Sequence, residues 1–126
     1  MTGFTFTKCQ HLRKKADFER VYDSKCKAAD GVLLLFAARD PDTVTRIGLS
    51  VSKKHGGAVV RNRLKRLLRE AFRLIQHQLP IGLDLIAIPL SKDKAGLIEY
   101  QDSLVKIAHR LLKRIERSER EGKALP

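Results

Sequence analysis

The stretch that decides the fold is residues 53–73, KKHGGAVVRNRLKRLLREAFR. It contains eight Lys or Arg residues and one acid, Glu70, a local charge of +7 within a chain whose net charge is +12. At about 100° per residue, its apolar side chains fall on one arc of roughly 120° and its cations on the opposite arc. The pattern predicts an amphipathic helix over about residues 58–78, anchored in a core by its apolar side. The apolar set is Val60, Leu64, Leu67, Leu68, Ala71, Leu74 and Ile75, and the cationic set is Arg61, Lys65, Arg66, Arg69 and Arg73.

The cationic side of this helix has two interpretations. The outer faces of most amphipathic helices are simply solvated, but such faces mix charges so that residues four apart attract. Here like charges stand at i, i+4 spacing, which costs a few tenths of a kcal/mol per pair. This self-repulsion favours an anionic ligand, and the regular charge of a nucleic-acid backbone fits it best. The series is Arg61, Lys65, Arg69 and Arg73.

Length and composition limit the class of protein. At 126 residues, 43% of them hydrophobic, the chain is expected to form a single globular domain, and its net charge of +12 is typical of proteins that bind nucleic acids or anionic surfaces. No apolar run approaches the roughly 18 residues of a membrane span, and residues 1–10 lack the apolar segment of a signal peptide. Cys9 and Cys26 have no spacing typical of a disulfide framework or a zinc site, so we assign them no function. We expect a cytoplasmic protein with reduced thiols.

The flanking segments predict an α/β class protein, a small sandwich in which helices pack on a sheet. Helical spacing marks the helices, and apolar or alternating runs mark three strands. The predicted elements are a flexible lead-in at residues 1–10, a helix over about 15–24, a strand at 32–38, a turn at 40–42, a strand at 45–53, the basic helix at 58–78, a strand at 83–89, a helix over about 98–117 and a frayed charged tail at 118–126.

An active site made of protein side chains is not predicted. A nuclease would need clustered carboxylates for metal ions or histidines in acid–base positions. The acids are scattered over helix starts and turns, and the four histidines show no ligand spacing. Gly56 and Gly57 precede the basic helix and would suit a polymer phosphate, but they lack the Gly-Lys-Ser/Thr ending of a nucleotide-binding loop. We therefore expect no catalytic residue and no metal site in the protein.

Asn62 allows two interpretations, and so does the pair of rings Phe18 and Tyr22. Asn62 would bond to the backbone of the first helical turn, or to a base edge or sugar while the adjacent arginines bind phosphates. Phe18 and Tyr22 share one helix face and would pack in the core, or stack on unpaired bases. The small residues of the second strand, Gly48, Ser50 and Ser52, would leave an open trough in which extended RNA could lie.

Three motifs of this chain occur together in a known family. Residues 46–72 read RIGLSVSKKHGGAVVRNRLKRLLREAF and include the triplet Arg61-Asn62-Arg63. Residues 13–18, RKKADF, lead to Val21 and Tyr22, and residues 84–89 read DLIAIP. With this combination the chain resembles the protein subunits of bacterial ribonuclease P, over about residues 11–116.

The resemblance implies both fold and function. The family's fold has about four strands in a mixed sheet, in the order αβββαβα, with a left-handed crossover through the central helix, against the usual right-handed rule. Family members bind a large catalytic RNA that removes the 5′ leader of precursor tRNA with magnesium ions. The RNA carries the chemistry, and the protein supports it and grips the single-stranded leader. The expected partners are therefore the catalytic RNA and precursor tRNA, with magnesium held mainly by the RNA.

The resemblance also assigns residues. Those implied to contact the catalytic RNA are Lys54, Arg61, Asn62, Arg63, Lys65, Arg66 and Arg69. Those implied to line the leader cleft, between the first helix and the sheet, are Phe18, Tyr22, Ser52, Lys53 and Lys92. In two places the chain departs from some relatives: residues 32–35 are aliphatic where they carry an aromatic, and Ser52 replaces a basic residue. The alternatives are a ribosomal or RNA-chaperone protein and, more weakly, a metal-dependent nuclease that acts without RNA.

Overall fold

Within the part of the chain that the structure describes, seven helices and strands follow one another in the order αβββαβα, as the resemblance implies. The computed structural model describes residues 11–40, 44–90 and 95–121. Short 3₁₀ turns at Lys53–His55 and Gln76–Gln78 precede and follow the central helix. The elements are α1 (Lys15–Asp23), β1 (Lys27–Ala29), β2 (Leu33–Arg39), β3 (Arg46–Leu49), α2 (Ala58–Ile75), β4 (Leu83–Pro89) and α3 (Leu97–Glu121).

The four strands form one mixed sheet in the order β1-β2-β4-β3. β2 pairs antiparallel with both β1 and β4, whereas β3 pairs parallel with β4. Parallel neighbours need a crossover connection, and α2 supplies it. The left hand of this crossover stays a prediction from the resemblance.

The sheet separates two layers of helices. Along β2, Leu33, Leu35 and Ala37 face the main core, which α2 and α3 cover. The alternate residues, including Phe36, face the other side, where α1 packs on the sheet through Val21. The period of two along a strand therefore places α1 on one face and the two longer helices on the other.

The apolar side of α2 faces the core as the sequence predicts, although three of the seven predicted residues stay half-buried: Val60, Leu67 and Leu74. Leu64 and Leu68 of the predicted set are fully excluded from solvent in the main core, and so is Phe72, which that set did not include. Burial of one such side chain contributes roughly 1.5–3 kcal/mol, whereas repulsion between neighbouring cations costs a few tenths of a kcal/mol per pair. Core packing therefore holds the helix in place despite its unbalanced charge.

Several predicted boundaries were wrong. β1 was missed from the residue pattern because its three residues, Lys-Ala-Ala, form a short edge strand without an apolar run. The strand predicted at residues 45–53 ends at Leu49, because Ser52 instead begins the turn at Lys53–His55. The last helix continues to Glu121, so residues 118–121 are helical rather than frayed. Residues 1–10, 41–43, 91–94 and 122–126 lie outside the described residues, and with them most of the predicted turn at 40–42.

A buried carboxylate ties α1 to the sheet. Asp84 of β4 is fully buried on the α1 side, and Arg46 donates to its two oxygens from Nε at 2.8 Å and from Nη2 at 2.7 Å. Arg20 of α1 also donates to Asp84, while Asp17 lies 3.9 Å from Arg20 and 3.8 Å from Arg46. Burial acts to raise the pKa of Asp84, but the hydrogen bonds and charges of the two arginines outweigh it and lower the pKa.

Replacement of Asp84 by Asn should reduce the free energy of unfolding at pH 7 by about 3 kcal/mol. Removal of one partner from a buried ion pair leaves the others uncompensated, and the partial exposure of Arg20, 41%, places the loss at the lower end of the usual range. Urea unfolding measures this loss in the free energy of unfolding. As a control, Glu19→Gln should change stability by less than about 0.5 kcal/mol, since Glu19 forms an exposed ion pair with Lys15.

The difference in stability between the wild type and Asp84→Asn should depend on pH. Because the pKa of Asp84 is lowered in the folded state, its stabilisation is complete above the ordinary carboxyl pKa of about 4 and is lost as the pH falls through the folded-state pKa. The stability gap between the wild type and Asp84→Asn should therefore narrow below about pH 4. A gap that stayed constant into strong acid would contradict the assigned role of the charge.

Candidate nucleic-acid interface

The cations of α2 form a surface that starts at the edge of the core. Arg61 and Lys65 are half-buried, so they flank the core rather than stand opposite it as the arc analysis predicts. The centre of the solvent-exposed side carries the four residues Asn62, Arg63, Arg66 and Arg69. We name these six residues the α2 surface.

Arg61 and Arg73 differ in how their guanidinium groups are engaged. The Nε of Arg61 is buried and has no hydrogen-bond partner within the described part of the chain. Arg73 instead donates to Glu70 from Nε at 2.8 Å and from Nη2 at 2.7 Å, a bidentate pair. The hydrogen bond from Arg73 lowers the pKa of Glu70. The uniformly positive i, i+4 series therefore ends at Arg69, because Glu70 neutralises its last member.

A histidine orients the lysine pair that precedes α2. In the turn at Lys53–His55, the backbone N–H of Ser52 lies 3.0 Å from Nδ1 of His55, and Nε2 of the same ring lies 2.8 Å from the carbonyl oxygen of Pro89. Nδ1 accepts and Nε2 donates in the tautomer that satisfies both contacts. His55 thereby fixes the turn to the end of β4, with Lys53 and Lys54 exposed.

Ser52 is the capping residue of this turn. Its backbone carbonyl oxygen accepts a hydrogen bond from the backbone N–H of His55 at 2.9 Å. Ser52 is exposed, and its role in leader binding stays a prediction. Lys92, predicted for the same cleft, lies outside the described residues.

Among the described residues, three aromatic rings line the sheet face beside α1. The ring centroids of Phe18 and Tyr22 are 6.4 Å apart, and those of Tyr22 and Phe36 are 4.8 Å apart in an edge-to-face arrangement. All three rings are half-buried, and Nζ of Lys27 lies 5.6 Å from the centre of Phe36. The rings therefore pack against the smaller core and also keep part of their surface in solvent.

Phe36 is the residue of this site that the sequence analysis missed. The aliphatic segment that was compared with relatives, residues 32–35, ends one residue before Phe36. Strand alternation would have found it, since Leu34 and Phe36 share the face turned toward α1. β2 therefore contributes an aromatic side chain to the cleft after all.

The ring of Phe18 covers part of the predicted trough at Gly48. A Cβ atom at this position would lie 2.5 Å from Cζ of Phe18 and 3.0 Å from the carbonyl oxygen of Leu12. The absence of a side chain at Gly48 therefore lets Phe18 lie directly over β3. Gly48 and Leu49 still line a cavity beside the ring, so the trough is narrowed rather than filled.

The α2 surface and the aromatic rings meet at one groove. A cavity of about 220 Å³ is bordered by Lys65 and Arg69 of α2, by Phe18 of α1 and by the N-terminal segment that contains His11. Burial, followed by the charges of Arg13 and Arg69, lowers the pKa of His11. The groove therefore combines positive charge with a partly exposed ring, the two features that bind single-stranded nucleic acid.

Other chemistry has no comparable site in the described residues. No group of three or more His, Cys, Asp or Glu side chains in residues 11–40, 44–90 and 95–121 is arranged to hold a metal ion. Cys26 is a buried thiol whose pKa burial raises, the opposite of an activated nucleophile. Across the same residues, no helix has the length and apolar character needed to cross a membrane.

Comparison with known proteins gives consistent similarities. The family model described as Ribonuclease P matches residues 6–116. The ribonuclease P protein component of Brevibacillus brevis is 39% identical over 101 residues, covering 79% of this chain and 80% of the relative. That of Clostridioides difficile is 33% identical over 102 residues, covering 80% and 90%.

Solved structures show the same likeness in three dimensions. The RNase P protein of Staphylococcus aureus superposes with a TM-score of 0.68 at 32% identity, covering 86% of this chain and 96% of that chain. The RNase P protein of Thermotoga maritima superposes with a TM-score of 0.71 at 26% identity, covering 79% and 96%. The likeness therefore extends over nearly the whole length of these proteins.

The close approach at Gly48 gives a stability prediction. Gly48→Ala should lower the free energy of unfolding by about 1–3 kcal/mol, because the new methyl group overlaps the ring of Phe18. Phe18→Leu should relieve part of this loss in the double variant, so the two substitutions should be non-additive. Gly57→Ala is the matched control, since a Cβ there meets open space and should change stability by less than about 1 kcal/mol. Fully additive effects would show that Gly48 does not seat the ring.

Proposed function

The chain belongs to the ribonuclease P protein family, and from that premise we propose how its surfaces divide the work of the complex. It is a protein component of ribonuclease P, an endoribonuclease that matures the 5′ end of tRNA and whose catalysis in bacteria is carried out by RNA. The family resemblance found in the sequence is thereby confirmed, and it displaces the ribosomal, RNA-chaperone and protein-nuclease alternatives. The cytoplasmic location stays a prediction.

We propose that the α2 surface, with Lys54, binds the catalytic RNA. The observation that carries this proposal is the exposed cationic side of α2, fixed in direction by the buried Leu64, Leu68 and Phe72. Regularly spaced cations bind the phosphate backbone of RNA and release the counterions that were condensed on it.

The aromatic cleft is proposed to hold the single-stranded leader of precursor tRNA. Phe18, Tyr22 and Phe36 keep part of their rings exposed, and stacking on unpaired bases needs ring surface of this kind. Lys53 lies exposed in the turn before α2 and would meet the leader's phosphates. Ser52 and Lys92 remain predictions for this cleft that rest on the resemblance alone.

Magnesium ions are proposed to be held mainly by the RNA. The buried or half-buried carboxylates near the proposed interfaces already have protein partners: Asp84 is bonded by two arginines and Asp17 lies beside the same pair. Inner-sphere magnesium sites require carboxylate or phosphate oxygens that are free to coordinate. The protein's contribution is then to neutralise phosphate charge where the two RNAs approach one another.

Arg61→Ala and Arg63→Ala should each weaken binding of the full chain to its catalytic RNA by roughly 1–3 kcal/mol, the value of a charge-assisted contact. Filter binding at near-physiological salt measures the loss. Arg73→Ala on the same helix is the matched control and should cause a smaller loss, because Glu70 already engages that guanidinium. Wild-type affinity in both test variants would defeat the assignment of the α2 surface.

Phe18→Leu and Tyr22→Leu should weaken binding of precursor tRNA more than that of mature tRNA, by about 1–3 kcal/mol for each lost base stack. The reconstituted holoenzyme, titrated with both RNAs, gives the ratio of the two affinities. Phe72→Leu controls for stability, since Phe72 is fully buried in the other core. Should the two test variants lose affinity for both RNAs equally, their rings serve packing alone.

A further inference from the structure

The second half of α3 carries another row of cations. Arg110, Lys113, Arg117 and Arg120 are all exposed and succeed one another at steps of three, four and three residues. At about 100° per residue they occupy an arc of roughly 80°, opposite the buried side chains of the same helix. With a rise of about 1.5 Å per residue, the row is about 15 Å long and its charges are spaced about 5–6 Å apart.

Among the described residues, the acids nearest this row do not form ion pairs with it. Glu116 and Glu119 lie on the flank of the helix, where they pair with Arg39 at 3.9 and 3.7 Å. Two further cations of the helix have partners in the protein. Nζ of Lys106 lies 3.7 Å from Oδ2 of Asp30, and Arg114 donates to the carbonyl oxygen of Lys27. The four residues of the row make no ion pair with any acid in the described part of the chain. Like charges at this spacing repel one another, as they do on α2.

The row is separate from both surfaces already described. The 3₁₀ turn that follows α2 meets α3 at His109, whose Nε2 lies 2.9 Å from the carbonyl oxygen of Gln78. The second half of α3 therefore continues beyond the end of α2. The aromatic cleft is on the other side of the sheet, under α1.

We propose that this row, Arg110, Lys113, Arg117 and Arg120, is a second docking surface for the backbone of the catalytic RNA. The proposal rests on the proposed function, because it takes the partner of α2 as the partner of α3. Residues 101–121 contain no Phe, Tyr or Trp, so the row offers charge without stacking surface, which suits folded RNA rather than an unpaired strand. A membrane surface would need exposed apolar residues beside the cations, but Ile107, Leu111 and Ile115 are buried in the core.

The location of the row favours the catalytic RNA over precursor tRNA. α2 and α3 share one side of the sheet and pack directly on each other, whereas the proposed leader cleft occupies the opposite side. A large folded RNA that contacts α2 would meet the row on the same side. The protein would then hold two segments of that RNA, one at each end of the helical layer.

The test is a full-length variant that carries Arg110→Gln, Lys113→Gln, Arg117→Gln and Arg120→Gln, titrated with the catalytic RNA over a range of salt concentrations. The loss of four phosphate contacts should reduce the slope of log affinity against log salt by about 3 and lower affinity roughly tenfold or more at physiological salt. A matched variant with Arg110→Lys, Arg117→Lys and Arg120→Lys keeps the charges and should bind as the wild type does. Hydroxyl-radical footprinting should show a patch of RNA backbone protected by the wild type and by this second variant only.

Three results would overturn the proposal. The first is a wild-type slope and affinity in the glutamine variant. The second is an equal loss for an unrelated RNA duplex, which would mean only a change in net charge. The third is a loss confined to precursor tRNA, which would assign the row to that RNA instead. Arg63→Ala, measured in parallel, separates the proposals: if it alone loses affinity, only the α3 surface fails, and if neither variant does, the proposed function of α2 fails as well.

Discussion

Leu64, Leu68 and Phe72 fix α2 against the sheet, and this packing sets the direction of every cation on the helix. The three side chains are fully buried and together contribute several kcal/mol, more than repulsion along the cationic side removes. The helix therefore needs no anion in order to fold, yet its charge is already oriented when one arrives. A preformed surface of this kind loses little conformational entropy on binding.

The sheet gives the protein two faces with different chemistry. On one face, α2 and α3 offer charge with few exposed rings; on the other, α1 and β2 offer rings that are half in solvent. The position of α1 depends on Asp84, whose contacts with Arg20 and Arg46 link the helix to β3 and β4. Gly48 completes the arrangement, because only a residue without a side chain lets Phe18 approach the strand this closely.

The sequence predicted best where one strong pattern dominates. β4 has the predicted bounds, residues 83–89, because its Leu and Ile content fits a strand covered on both faces. β1 is too short to show any pattern. Ser52 lies outside β3 because its backbone N–H donates to the ring of His55 and so belongs to the turn, a contact that the spacing of residues does not predict. In the site, the helical period predicted the exposure of Arg66 and Arg69 correctly but placed the half-buried Arg61 and Lys65 too far from the core. The contact of Phe36 with Tyr22 depends on how α1 docks across the sheet. Long-range docking of this kind has no signature in the spacing of residues.

Oriented cations on α2 are proposed to dock the protein onto the RNA that performs the cleavage. The most direct measurement is the salt dependence of binding between the unmodified chain and its catalytic RNA. Lys54 and the five basic residues of the α2 surface should neutralise phosphates, so log affinity should fall against log salt with a slope of about −4 or steeper. A slope near zero would mean that no counterions are released on binding, and it would contradict the account.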